Sequence, residues 1–149
     1  MTQRTILLVD DQCYYLRSLI RELHGSGFAV DVVASAAETA DRLAAGRLYD
    51  LAIVDLNLPS GSPSRAGVSA DTPTLEMGWR VIEMIRETPG PNAGLPVVVF
   101  SAYVDTTPKS LYSARSKALQ VVATLRKGPG GPEQLVATVR RLLSAPVAE

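Results

Sequence analysis

Five short apolar runs recur along the chain, and segments of helical periodicity separate them. The runs cover residues 4–9, 28–33, 51–54, 97–100 and 119–125. Each is too short for a buried helix and rich enough in Ile, Leu and Val for a buried strand. Leu16, Leu19, Ile20 and Leu23 fall at helical spacing, and Gly25 and Gly27 end that helix. Ser35 with Glu38 three residues later is a capping-box pattern for a helix running to Ala45. Met77, Val81, Ile82 and Ile85 mark a third helix, stopped near Pro89. Thr107 and Pro108 read as an N-cap followed by a proline at the first helical position. Pro132 opens a last helix carrying Leu135, Val136, Val139, Leu142 and Leu143 on one face. Strands that are apolar throughout and alternate with helices predict an α/β fold, a parallel sheet covered on both faces.

Size and charge narrow the function classes. The chain has 149 residues, enough for one domain with a real core and no staples. Fifteen basic side chains balance fifteen acidic ones. That excludes a tail-driven nucleic-acid binder, and no direct nucleic-acid contact is expected. The single cysteine, Cys13, excludes an internal disulfide and a Cys-based zinc site, and is expected as a small buried residue. Asp10 and Asp11 come too early for a signal peptide, and no apolar run approaches a membrane span. The expectation is a cytoplasmic single domain over residues 1–149, a small protein in its own right.

In an open parallel sheet, ligands bind beyond the carboxyl ends of the strands, where strand order reverses. Asp10 and Asp11 follow the first strand, Asp55 the third, Ser101 the fourth and Lys127 the fifth. Singly, these read as an N-cap, a turn, a loop hydroxyl and a solvated lysine. Together, at the ends of four strands, they describe a site. Three carboxylates gathered there repel one another. A divalent cation relieves that, and Mg²⁺ suits few carboxylates plus water and a phosphate oxygen. Lys127 adds a point positive charge and Ser101 a neutral donor. The set suits a phosphoryl group, with one carboxylate as nucleophile forming an acyl phosphate.

These residues resemble the receiver domain of bacterial two-component response regulators, over residues 4–143. The resemblance rests on the apolar strand before Asp10 and Asp11, and on Asp55 with Leu58 and Pro59. Gly78 at the third helix, Ser101 with Ala102, and Lys127 complete it. It implies a flavodoxin-like, doubly wound five-stranded sheet of order 2-1-3-4-5. It implies Asp55 as the phosphoacceptor, with Mg²⁺ held by Asp10, Asp11, Asp55 and the backbone carbonyl of Asn57. Ser101 would hydrogen-bond the phosphoryl group and shift on activation, and Lys127 would pair with it. Asn57 and Tyr103 would tune hydrolysis. The domain would take its phosphoryl group from a sensor histidine kinase or phosphotransfer protein, and usually hydrolyse it. It would be a self-phosphorylating and self-dephosphorylating signalling domain rather than a conventional enzyme. It would then switch a downstream target or homodimer through the fourth helix, fifth strand and fifth helix.

Three departures from the family pattern stand out. Eighteen residues, 60–77, lie between Pro59 and Gly78, where relatives have only a few. Gly128 rather than proline follows Lys127, so no cis bond is expected there. Thr124 occupies the place of an aromatic switch residue three before the lysine. Tyr103 and Tyr112 are expected as ordinary surface tyrosines, with substitution for that switch residue as the alternative. These departures motivate an alternative, a receiver-like protein-binding module that does not depend on phosphorylation. Eleven of the 21 Gly and Pro residues fall between Pro59 and Pro96, and the inserted segment at about 60–76, mostly Ser, Gly, Pro, Thr and Ala, has a loop composition. A mobile flap at the mouth of the site is the expectation for it. Residues 109–141 hold seven basic side chains against Glu133 alone, suited to an acidic partner or a solvated face. His24 is expected as a C-terminal helix cation and Trp79 as packing.

Overall fold

The inner strands form because both of their faces find apolar cover. In β1 (Thr5–Val9) the side chains alternate between two apolar layers. Leu7 and Val9 face one layer, Ile6 and Leu8 the other, and all four are buried. The fold is a computed structural model that describes residues 3–12, 16–61, 73–104 and 109–144. β2 (Ala29–Val33), β3 (Leu51–Val54), β4 (Val97–Ser101) and β5 (Val121–Arg126) join β1 in one sheet. Strand order is β2-β1-β3-β4-β5, and every pairing is parallel. The expected doubly wound order 2-1-3-4-5 is therefore the observed one.

Helices α1 (Arg17–Gly25) and α5 (Gly131–Ser144) cover one face of the sheet. Leu16, Leu19, Leu23, Leu135, Val139 and Leu143 pack there on Ile6, Leu8, Ile53, Val98 and Phe100. On the opposite face, α2 (Ala36–Ala44) and α3 (Leu75–Glu87) bring Leu43, Trp79, Val81, Ile82 and Ile85 onto Leu7, Val9, Val54, Val97 and Val99. α4 (Lys109–Ala118) lies beyond α3 on that face, with Tyr112 packed against the same layer. The crossover helices on two faces put the reversal of strand order between β1 and β3. Their carboxyl ends therefore open on the crevice where such sheets bind ligands.

Element boundaries differ from expectation where tertiary contacts decide them. Ser35 does cap α2, accepting the Glu38 N–H at 3.2 Å. The Glu38 carboxylate, however, returns to the Ala34 N–H and not to that of Ser35. α3 begins at Leu75, two residues before Met77, because the Thr74 hydroxyl accepts the Met77 N–H. β5 begins at Val121, since Leu119 and Gln120 complete the exit from α4 and Gln120 adopts a left-handed backbone. The Thr107–Pro108 cap and the expected burial of Cys13 lie outside the described residues. His24 sits in the last turn of α1, as expected.

Candidate phosphoryl and metal site at the carboxyl edge of the sheet

Sheet hydrogen bonds carry the site residues into place. The Asp10 N–H donates to the Val33 carbonyl at 2.9 Å, and the Asp55 N–H to the Val9 carbonyl at 2.9 Å. Each aspartate thus continues the ladder one residue past its strand. The Lys127 N–H donates to the Ser101 carbonyl at 3.1 Å, which fixes the tops of β4 and β5 to each other.

The side chains then converge. The Lys127 ammonium lies 2.6 Å from Asp10 Oδ2 and 3.0 Å from Asp55 Oδ2, with all three side chains nearly excluded from solvent. Asp10 Oδ1 accepts the Gln12 N–H at 2.8 Å, and Asp55 Oδ1 accepts the Asn57 N–H at 3.3 Å. Asp11 stands half-buried beside them. Carboxylate oxygens of Asp10, Asp11 and Asp55 lie within 4.8 Å of one another, close enough to share one cation. Ser101 is fully buried at the end of β4, and its Oγ accepts the Tyr103 N–H at 3.2 Å. All the side chains named from the sequence therefore stand at one edge of the sheet.

Gly78 completes the wall. Its N–H donates to the Leu56 carbonyl at 2.9 Å. A Cβ there would sit 2.6 Å from the Asp55 carbonyl oxygen and closer still to the Leu56 backbone. Only a residue without a side chain lets α3 approach the loop that carries Asp55.

The electrostatics follow from burial and pairing. Burial is the largest influence on Asp10 and holds its carboxyl above the ordinary 3.8, against the pull of Lys127. Asp11 is raised as well, by burial with the Asp55 charge adding to it. Burial pulls the Lys127 ammonium down, but Asp10 and Asp55 outweigh it and lift the group above its ordinary 10.5. Lys127 therefore keeps its proton, and its stabilising pair persists at neutral pH and is lost only above the ordinary lysine range.

The acids behave in the opposite sense. A carboxyl whose folded pKa is raised holds a proton that the unfolded chain has released, so its ionisation destabilises the fold. Wild-type protein without divalent cation should lose stability relative to Asp11→Asn as pH rises from about 3.8 through the raised range. Urea unfolding of the two proteins across that range checks this, and Mg²⁺ should abolish the difference.

Sequence reasoning missed several residues at or near the site. Gln12 Oε1 accepts from the Lys127 ammonium at 3.3 Å, a contact that spacing does not announce. Tyr112 is not a surface tyrosine. Its hydroxyl lies 2.6 Å from Thr124 Oγ1, and the hydroxyl of Thr124 was the one signal available. Tyr103 is exposed, as expected. Among the described residues no peptide bond is cis.

The inserted segment is described at its ends only. Leu58 and Thr74 exchange backbone hydrogen bonds at 3.1 and 2.9 Å, which brings those ends together. The Pro59 and Ser60 carbonyls accept the Ala36 and Ala37 N–H groups at the start of α2. Of the flap expected over about 60–76, residues 62–72 lie outside the described residues, and Leu75 and Glu76 belong to α3.

No protein-family model and no curated protein matches the chain. Solved structures do. A sensor protein from Polaromonas sp. JS666 is 26% identical with a TM-score of 0.70, covering 96% of this chain and 98% of its own. A response regulator receiver protein from Sinorhizobium medicae WSM419 is 26% identical with a TM-score of 0.65, covering 96% of each chain. A CheY-like response regulator receiver domain protein from Methanospirillum hungatei JF-1 is 20% identical with a TM-score of 0.67, covering 96% and 95%. The chain has the fold of the CheY-like response regulator receiver domains, with an acidic cluster that can hold a metal at the carboxyl edge of its sheet.

Proposed function

We propose that the chain is a phosphoacceptor receiver of a two-component phosphorelay, with Asp55 as the acceptor. The observation that carries this reading is the buried Lys127 ammonium bridging Asp10 and Asp55, with Asp11 beside them. Paired carboxylates beside a third acid suit a divalent cation. Asp10, Asp11 and Asp55, with the Asn57 carbonyl, would hold Mg²⁺. When bound, the ion supplies positive charge against the oxygens of a phosphoryl group.

The chain's own groups do the rest. The Asp55 carboxylate attacks the phosphorus of a phosphohistidine, a P–O bond forms, and the P–N bond breaks with its electron pair going to the imidazole. Lys127 already contacts the acceptor, so it can follow the charge onto the phosphoryl oxygens. Ser101, buried at the top of β4, would donate its hydroxyl to the same group. A sensor histidine kinase or a phosphotransfer protein supplies the phosphoryl group in this reading, in the cytoplasm. A downstream protein or a second copy reads the result on the α4–β5–α5 face. Among the described residues no helix is long and apolar enough to cross a membrane.

Incubation with acetyl phosphate tests the reading, with intact mass as the readout. One phosphoryl adduct should appear with Mg²⁺ and be absent with a chelator. Failure of the wild type to gain it would favour the module that works without phosphorylation.

A further inference from the structure

α4 is docked unlike the other helices. Among its described side chains, residues 111–118, none is fully buried. α3 beside it buries Gly78, Trp79, Val81, Ile82 and Ile85. Apolar burial therefore contributes little to holding α4 down.

Polar and aromatic contacts do that instead, and they centre on one side chain. Arg115 donates from both terminal nitrogens to the two carboxylate oxygens of Glu76, at 2.8 and 2.5 Å. This is the paired-fork geometry that gives arginine–carboxylate bonds their strength. Glu83 lies 3.8 Å away on the next turn but one of α3. The same guanidinium stands 5.0 Å above the Trp79 ring, a cation–π arrangement. Tyr112 meets Trp79 edge to face at 5.2 Å. Its hydroxyl, bonded to Thr124, ties the helix to β5.

We propose that Arg115 is a latch: clamped to Glu76 and resting on Trp79, it fastens α4 to the first turn of α3, and its release lets α4 undock while the rest of the domain stays folded. Local opening of a helix with few buried apolar contacts lies at the low-stability end of a native structure. A latch made of charge is also weakened by salt, unlike the apolar docking of α5. Glu76 sits two residues before Gly78, whose N–H is bonded to the loop after Asp55. The latch is thus anchored beside the candidate site, but it stands whether or not Asp55 is phosphorylated.

Native-state amide hydrogen exchange on the full chain tests it. In Arg115→Gln, exchange of the α4 amides should quicken by about tenfold, the scale of one ion-pair network plus one cation–π contact, and in Glu76→Gln, which keeps Arg115 over Trp79, by about threefold. Exchange in α5 should stay close to wild type. High salt should quicken α4 in the wild type and have little further effect in either variant. Unchanged α4 protection in both variants would overturn the latch. So would equal acceleration of α4 and α5, since that reports loss of global stability.

Discussion

Lys127→Met should lower the stability of the metal-free protein by about 3–5 kcal/mol, the scale for removing one partner of a buried ion pair. The wild-type ammonium is within hydrogen-bond distance of both Asp10 and Asp55, and all three side chains are almost wholly buried. A methionine fills the space but leaves two carboxylates facing each other without a counter-charge. The deficit should shrink as pH falls, because Asp10, already raised by burial, then takes up a proton and the repulsion ends. It should shrink with Mg²⁺ as well, if the three acids share a cation. Urea melts of both proteins at neutral and mildly acid pH, with and without Mg²⁺, measure all of this.

Gly78→Ala should cost nearly as much, by a different route. The added Cβ meets the Asp55 carbonyl oxygen at 2.6 Å and the Leu56 backbone more closely still. Neither neighbour is a flexible side chain, so α3 must move away. Overpacking of this kind costs about 1–3 kcal/mol, and losing the Gly78 N–H bond to Leu56 adds about 1 kcal/mol. The backbone it presses on includes that of the acceptor, Asp55. A shift near 1 Å at a reacting group costs about a hundredfold in rate, so phosphorylation should slow on that scale. Gly25→Ala is the control, because nothing lies within 4 Å of a Cβ there. Unfolding melts and the rate of adduct formation from acetyl phosphate give the two readouts.

The strands were legible because both faces of the sheet are covered, so β1, β3 and β4 carry apolar residues at every inner position. β5 was harder to place. It is an edge strand, and Gln120 and Thr124 interrupt its apolar run. α4 showed no apolar stripe to find, because polar contacts rather than burial hold it. α3 was read two residues short, because Thr74 caps it from within a stretch of loop composition.

The site was legible for a related reason. A parallel sheet delivers whatever follows its strands to one edge, so the strand ends alone gathered Asp10, Asp11, Asp55, Ser101 and Lys127. What spacing cannot give is pairing across the fold. Gln12 on Lys127 and Arg115 on Glu76 join segments that are far apart in the chain, and Tyr112 on Thr124 joins α4 to the next strand. The Arg86 guanidinium is a further case. It donates to the carbonyls of Ala93, Leu95, Leu119 and Gln120, binding the connector before β4 to the exit of α4.

The central claim is that Asp55 accepts a phosphoryl group, and reduction of the acyl phosphate tests it most directly. Protein treated with acetyl phosphate and Mg²⁺ is reduced with borohydride, which converts a phosphorylated aspartate to homoserine, and the peptides are sequenced by mass. Conversion at position 55, absent without Mg²⁺ and absent in Asp55→Asn, is the predicted result. An adduct that maps to Asp10, Asp11 or any other residue, or no conversion at all, would contradict it.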